Sequence, residues 1–118
     1  MKLSEVKEIL GAEILSGEDL LEQEVDSAFG SDLMSDVLAF VKDNALLLTG
    51  LMNPQVIRTA EMLDITGIVF VRGKRPDESI IEMAKAKDMV LMTTDSHLYT
   101  ASGLLYSNGL VGKKRGTN

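Results

Sequence analysis

Apolar positions along the chain follow two rhythms. Residues 45–49 (Ala-Leu-Leu-Leu-Thr), 67–71 (Gly-Ile-Val-Phe-Val) and 89–92 are short runs that are apolar at nearly every position. Such runs predict strands covered on both faces, as in a parallel sheet between helices. Between and around them, apolar residues recur at helical spacing. Leu3, Val6, Ile9 and Leu10 predict a helix over 4–10, capped by Ser4-Glu5 and ended by Gly11. Leu33, Met34, Val37, Leu38, Phe40 and Val41 predict a second, opened by an Asp32 cap and stopped at Asp43-Asn44. Asn53 and Pro54 stand as N-cap and first residue of a third, with Val56, Ile57, Ala60 and Leu63 inward and Arg58 paired with Glu61 outside. A fourth starts at Pro76 and turns Ile80, Ile81 and Ala84 inward. The fifth runs over 97–106 after the cap-rich Thr93-Thr94-Asp95-Ser96.

The N-terminal part is less regular. Residues 12–15 form a strand candidate, 16–19 a polar turn, and 20–23 fit either a helical turn or a loop. Residues 24–29 alternate as an edge strand does, Val25, Ser27 and Phe29 against Glu24, Asp26 and Ala28. Three repeats of strand, turn and helix follow, so the expected fold is α/β, a mostly parallel sheet of about five strands flanked by helices. With no linker in its 118 residues, the chain reads as one domain over 1–112 with a frayed basic tail over 113–118.

Composition narrows the function classes. The net charge of −6 opposes general binding to nucleic acid. No stretch is apolar for long enough to span a membrane, and the absence of cysteine, which excludes disulfides and thiolate metal sites, agrees with a cytoplasmic protein. Acidic residues crowd the first third, whereas Arg72, Lys74 and Arg75 come later and leave room for a local anion site. In a parallel sheet the turns after the strands gather at the carboxyl edge, where ligands bind. A phosphate-bearing ligand there would meet Thr49, Gly50, Asn53, Arg72, Gly73, Lys74, Thr93, Thr94 and His97. Ordinary caps and turns use the same residue types, and neither a P-loop nor a Gly-x-Gly-x-x-Gly pattern follows any strand. His97, the single histidine, stands next to Asp95 and Ser96 and is the acid/base candidate. No partnered nucleophile accompanies it, and neither a metal-ligand spacing nor a cofactor motif is present.

Residues 48–62, Leu-Thr-Gly-Leu-Met-Asn-Pro-Gln-Val-Ile-Arg-Thr-Ala-Glu-Met, followed by 67–76, Gly-Ile-Val-Phe-Val-Arg-Gly-Lys-Arg-Pro, resemble the DRTGG domain family, over most of the chain to Leu110. The resemblance implies a fold like the N-terminal domain of HPr kinase/phosphorylase. It also implies a regulatory role, in domains that occur alone or attached to phosphotransacetylases and CBS-domain pyrophosphatases. It supplies no catalytic residue. The contiguous Asp-Arg-Thr-Gly-Gly is missing; Thr49-Gly50 and Arg72-Gly73 are its nearest counterparts, with Lys74 where a second glycine would stand. The expectation is a non-catalytic regulatory or ligand-sensing domain that forms a homodimer and binds a nucleotide or other phosphorylated small molecule. Leu51, Met52 and Leu104-Leu105-Tyr106 are the association candidates. The alternatives are an interaction subunit of a partner enzyme with no small ligand, and an enzyme acting on a phosphorylated substrate through His97 and Asp95.

Overall fold

The computed structural model describes residues 1–41 and 44–112, so the expected helix stop at Asp43 and the basic tail lie outside the described residues. Along the chain run α1 (Leu3–Leu10), β1 (Glu13–Ser16), a 3-10 turn (Glu18–Leu20), β2 (Ser27–Gly30), α2 (Met34–Phe40), β3 (Ala45–Thr49), α3 (Pro54–Met62), β4 (Gly67–Phe70), α4 (Glu78–Ala86), β5 (Val90–Thr93) and α5 (Leu98–Ser107). The strands form one sheet in the order β1-β5-β4-β3-β2. From β2 to β5 all pairs are parallel, and β1 closes the far edge antiparallel to β5.

Every residue of β3, β4 and β5 is buried, and alternation divides their side chains between two cores. Leu46, Leu48, Val69, Val71, Val90 and Met92 face α1 and α5, packing on Leu3, Val6, Ala101 and Leu105. Leu47, Ile68, Phe70 and Leu91 face the other layer, where Val37, Val56, Ile57, Ala60, Ile80, Ile81 and Ala84 cover them from α2, α3 and α4. Each large side chain buried in this way stabilises the fold by roughly 1.5–3 kcal/mol before entropy is counted. The expected edge strand is β2, whose residues alternate between half-buried and exposed.

The helices hand the chain back to the sheet through one device. After α3 and α4, Asp64 and Asp88 take left-handed φ values of 56° and 55°. The next residues, Ile65 and Met89, donate to the carbonyls of Ala60 and Ala84 at 2.8 and 3.0 Å, and both are buried. A short polar side chain tolerates this conformation where a branched one would not.

Several expected caps fall elsewhere. α1 starts at Leu3 with Lys2 as N-cap, and the Glu5 carboxylate accepts from the Lys2 amide at 2.9 Å. Pro76 precedes α4 instead of opening it, because Asp77 takes the cap and accepts from Ile80 N at 3.4 Å. His97 rather than the Thr93–Ser96 stretch is the N-cap of α5, and β5 runs on to Thr93. Glu61 pairs with Lys87 at 2.7 Å, across from the end of α4, instead of with Arg58. Asp32 does not cap α2, which has Leu33 as N-cap without a side-chain bond. Among the described residues, no helix is long and apolar enough to cross a membrane.

Candidate functional site

The parallel register aligns Gly30 with Leu48, Thr49 with Phe70 and Phe70 with Thr93, bringing the exits of β2 to β5 to one edge. Antiparallel β1 adds Glu13 to that edge, opposite Thr93.

Asp32 is the centre of this edge. Its Oδ1 accepts from the Gly50 amide at 2.7 Å and from Thr49 Oγ1 at 3.1 Å, and Thr49 Oγ1 accepts in turn from the Leu51 amide at 3.1 Å. A carboxylate thus fills the donor set that the end of β3 offers, tying the β2 exit to the β3 exit. Arg72 completes the group, with Nη2 3.8 Å from Asp32 Oδ2. Its guanidinium lies against Gly50, so that a Cβ there would displace the Arg72 side chain from this position. The ion pair is long and half-exposed and contributes less than about 1 kcal/mol.

Arg72 reaches this position through an uncommon turn. Arg72 and Gly73 both adopt positive φ, 63° and 68°, and Lys74 N donates to Val71 O at 3.3 Å, the pattern of a type I′ turn. Placing a non-glycine residue there costs about 1–2 kcal/mol. Two bonds to the β5 exit hold it, Arg72 N to Ser96 O and Gly73 N to Thr94 O, each 2.8 Å. Asp95 Oδ1 approaches Gly73 from the same side.

The nine residues singled out from sequence have different employments. Thr49, Gly50 and Arg72 come together around Asp32, with Gly73 in the turn that presents Arg72. The Lys74 ammonium forms no ion pair among the described residues, while Lys74 O accepts from Thr93 Oγ1 at 2.6 Å. Thr94 Oγ1 points into the interior and donates to Leu10 O at 2.8 Å. Asn53 caps α3 by accepting from Gln55 N at 2.9 Å. His97 is exposed and makes no capping bond with its ring. The amides of Gly50, Arg72 and Gly73 are all engaged, which sequence reasoning did not foresee. Asp32, read there as a helix cap, is the residue it missed. Its partners are 17 and 18 positions away, so no local signal marks them.

Charges at the edge are mixed: Arg75 pairs with Glu13 at 2.8 Å and Arg72 faces Asp32, while Asp95 lies beside Gly73. An incoming anion would find Lys74 and the outer face of Arg72 directly, and the Gly50 amide and Thr49 hydroxyl only by displacing the Asp32 carboxylate. Among the described residues, no group of three or more His, Asp or Glu side chains is placed to hold a metal ion.

The fold has relatives. A search of the curated proteins finds no match. A crystal structure of the CBS and DRTGG domains of the regulatory region of Clostridium perfringens pyrophosphatase, complexed with the activator diadenosine tetraphosphate, is similar with a TM-score of 0.72 at 18% identity. The likeness covers 99% of this chain and 52% of that one, so this chain spans about half the length of the structure it matches. The family model of the DRTGG domain matches residues 5–107. This chain belongs to the DRTGG domain family.

Proposed function

We propose that this chain is a regulatory, ligand-sensing domain without catalytic activity, which binds the phosphate groups of a nucleotide or other phosphorylated small molecule at the carboxyl edge of its sheet. The observation that carries this reading is the Asp32 carboxylate on Gly50 N and Thr49 Oγ1, facing Arg72. An acidic oxygen already sits where a phosphate oxygen would, on donors that a phosphate would also use. Thr49, Gly50, Arg72, Gly73 and Lys74 form the binding group, and Asn53, Thr93, Thr94 and His97 frame it. The similar regulatory region of a pyrophosphatase, crystallised with a dinucleoside polyphosphate activator, supports the ligand class.

Displacement gives the domain its two states. With Asp32 in place, the segment leading into α2 is bonded to Gly50 and Thr49; with a phosphate in its place those two bonds are lost, while Ser31 N still donates to Leu48 O at 3.0 Å. A ligand shifts such an equilibrium only by its difference in affinity for the two arrangements. The domain works as a cytoplasmic homodimer, alone or beside a partner enzyme that reads the shift.

The test is thermal unfolding in the presence of mononucleotides, dinucleoside polyphosphates, acetyl phosphate and sugar phosphates at about 1 mM. A ligand at ~100 times its dissociation constant adds ~2.7 kcal/mol, a rise of several degrees for a domain of this size. A selective rise supports the reading; a flat panel removes it and leaves the interaction subunit.

A further inference from the structure

We infer that Asn108 is a modification site, at which the neighbouring Gly109 amide turns the side-chain amide into a carboxylic acid when the C-terminal cap of α5 opens, and that the product keeps this cap open. Asn108 lies at the far end of α5 from His97, so the ligand site is not involved.

Ring closure between an asparagine side chain and the next backbone nitrogen is least hindered where the next residue is glycine. Among the described residues, Asn44 precedes Ala45, and Asn53 precedes Pro54, whose nitrogen has no hydrogen to lose. Asn108 precedes Gly109. Asn108 is exposed, and beyond the chain neighbours no heavy atom lies within 4 Å of where a Gly109 Cβ would stand, so water has access.

The fold explains the glycine and holds the reaction back. α5 ends in a Schellman motif: Gly109 takes a φ of 108°, Gly109 N donates to Tyr106 O at 3.1 Å, and Leu110 N donates to Leu105 O at 3.0 Å, with Leu105 and Leu110 buried in the same core. Asn108 Nδ2 donates to Leu104 O at 2.8 Å. The Asn108 ψ of 9° eclipses Gly109 N with the backbone nitrogen of Asn108 instead of with Cβ, so the five-membered ring cannot close while the cap is made. Closure requires that the bonds of Asn108 Nδ2 and Gly109 N break and that the Asn108 Cα–C bond turns.

Once the cap is open, the chemistry needs only base and water. Gly109 N gives up its proton and bonds to Asn108 Cγ; the Cγ–Nδ2 bond breaks, and Nδ2 leaves with a proton as ammonia. Water then opens the cyclic imide, at Cγ to give an aspartate or at the main-chain carbonyl to give an isoaspartate.

Either product works against the cap. A carboxylate replaces a donor 2.8 Å from Leu104 O, at the helix end where partial negative charge gathers, and adds one negative charge to the chain's −6. The isoaspartate also lengthens the main chain by one carbon, which puts Gly109 N and Leu110 N out of register with Tyr106 O and Leu105 O. Leu110, 5% exposed, then leaves the core that α5 shares with α1.

The experiment incubates the full chain, folded and in guanidinium, at mildly alkaline pH. Ion exchange reads the added charge. Mass spectrometry of the tryptic peptide from Asp88 to Lys113, in which Asn108 is the one asparagine and glutamine is absent, assigns it. Expected is acid at Asn108 in the folded chain, forming roughly ten- to a hundredfold more slowly than in guanidinium and faster at higher pH. Leu110→Ala accelerates it, while Ile81→Ala, which empties a place in the opposite core, does not. Leu110→Val replaces Leu110→Ala if the latter does not unfold cooperatively. Asn108→Asp, which carries the product's charge, unfolds at a lower midpoint than the wild type. A folded rate within about twofold of the denatured one, or more than about a thousandfold below it, overturns the proposal. Equal acceleration by the Leu110 and Ile81 variants, or acid that forms first at Asn44 or Asn53, does so as well. An Asn108→Asp chain as stable as the wild type overturns the claim that the product keeps the cap open.

Discussion

The Asp32 carboxylate lies 2.7 Å from the amide of Gly50, 18 residues further along the chain, and this bond closes the carboxyl edge of the sheet. Gly50 is buried and Thr49 fully so, while Asp32 is half-exposed, so without the carboxylate the two donors can be met only by water entering through the position it leaves. Asp32→Ala leaves a donor unpaired and lowers stability by about 1–3 kcal/mol. Asp32→Asn keeps the acceptor oxygen and loses less than half of that. Denaturant titration of the two variants separates them, with equal losses for both counting against the geometry.

Arg72 separates stability from binding. It occupies a left-handed conformation that glycine adopts without strain, so Arg72→Gly removes about 1–2 kcal/mol of backbone strain while loosening the unfolded chain by a smaller amount. The variant is expected to unfold within about 1 kcal/mol of the wild type while losing its response to phosphorylated ligands. Arg72→Ala keeps the strain and loses the response as well. A large destabilisation by Arg72→Gly would mean that the guanidinium holds the fold together.

Thr94 and Thr59 make an opposed pair. Thr94 Oγ1 satisfies the buried carbonyl of Leu10, so Thr94→Val orphans that carbonyl and costs about 1–2 kcal/mol. Thr59 Oγ1 is buried in the α3 face with no partner among the described residues, so Thr59→Val is expected to stabilise by roughly 1 kcal/mol. At about 4 °C per kcal/mol, unfolding midpoints that move in opposite directions confirm the assignment.

The layered fold was legible because β3, β4 and β5 are apolar at successive positions and their helices are amphipathic, signals carried within a few residues. Caps were less so. Asp32 has the residue type and position of a cap, yet a buried amide at Gly50 competes for its carboxylate and wins. Leu105, grouped by sequence with an exposed segment, is core, while its neighbours Leu104 and Tyr106 face outward; a helix turns 100° per residue and a run of three spans both faces. Leu51 and Met52, the other association candidates, are partly buried against the α2–α4 core. The engagement of the turn amides depends on contacts between β4 and β5 exits, which no local pattern encodes.

Calorimetric titration of diadenosine tetraphosphate into the wild type, Asp32→Asn and Arg72→Gly tests the displacement account most directly. The account predicts binding to the wild type that weakens with added salt, about fivefold tighter binding to Asp32→Asn, equivalent to about 1 kcal/mol, and none to Arg72→Gly. Binding that is unchanged in Arg72→Gly, or weaker in Asp32→Asn than in the wild type, would contradict it.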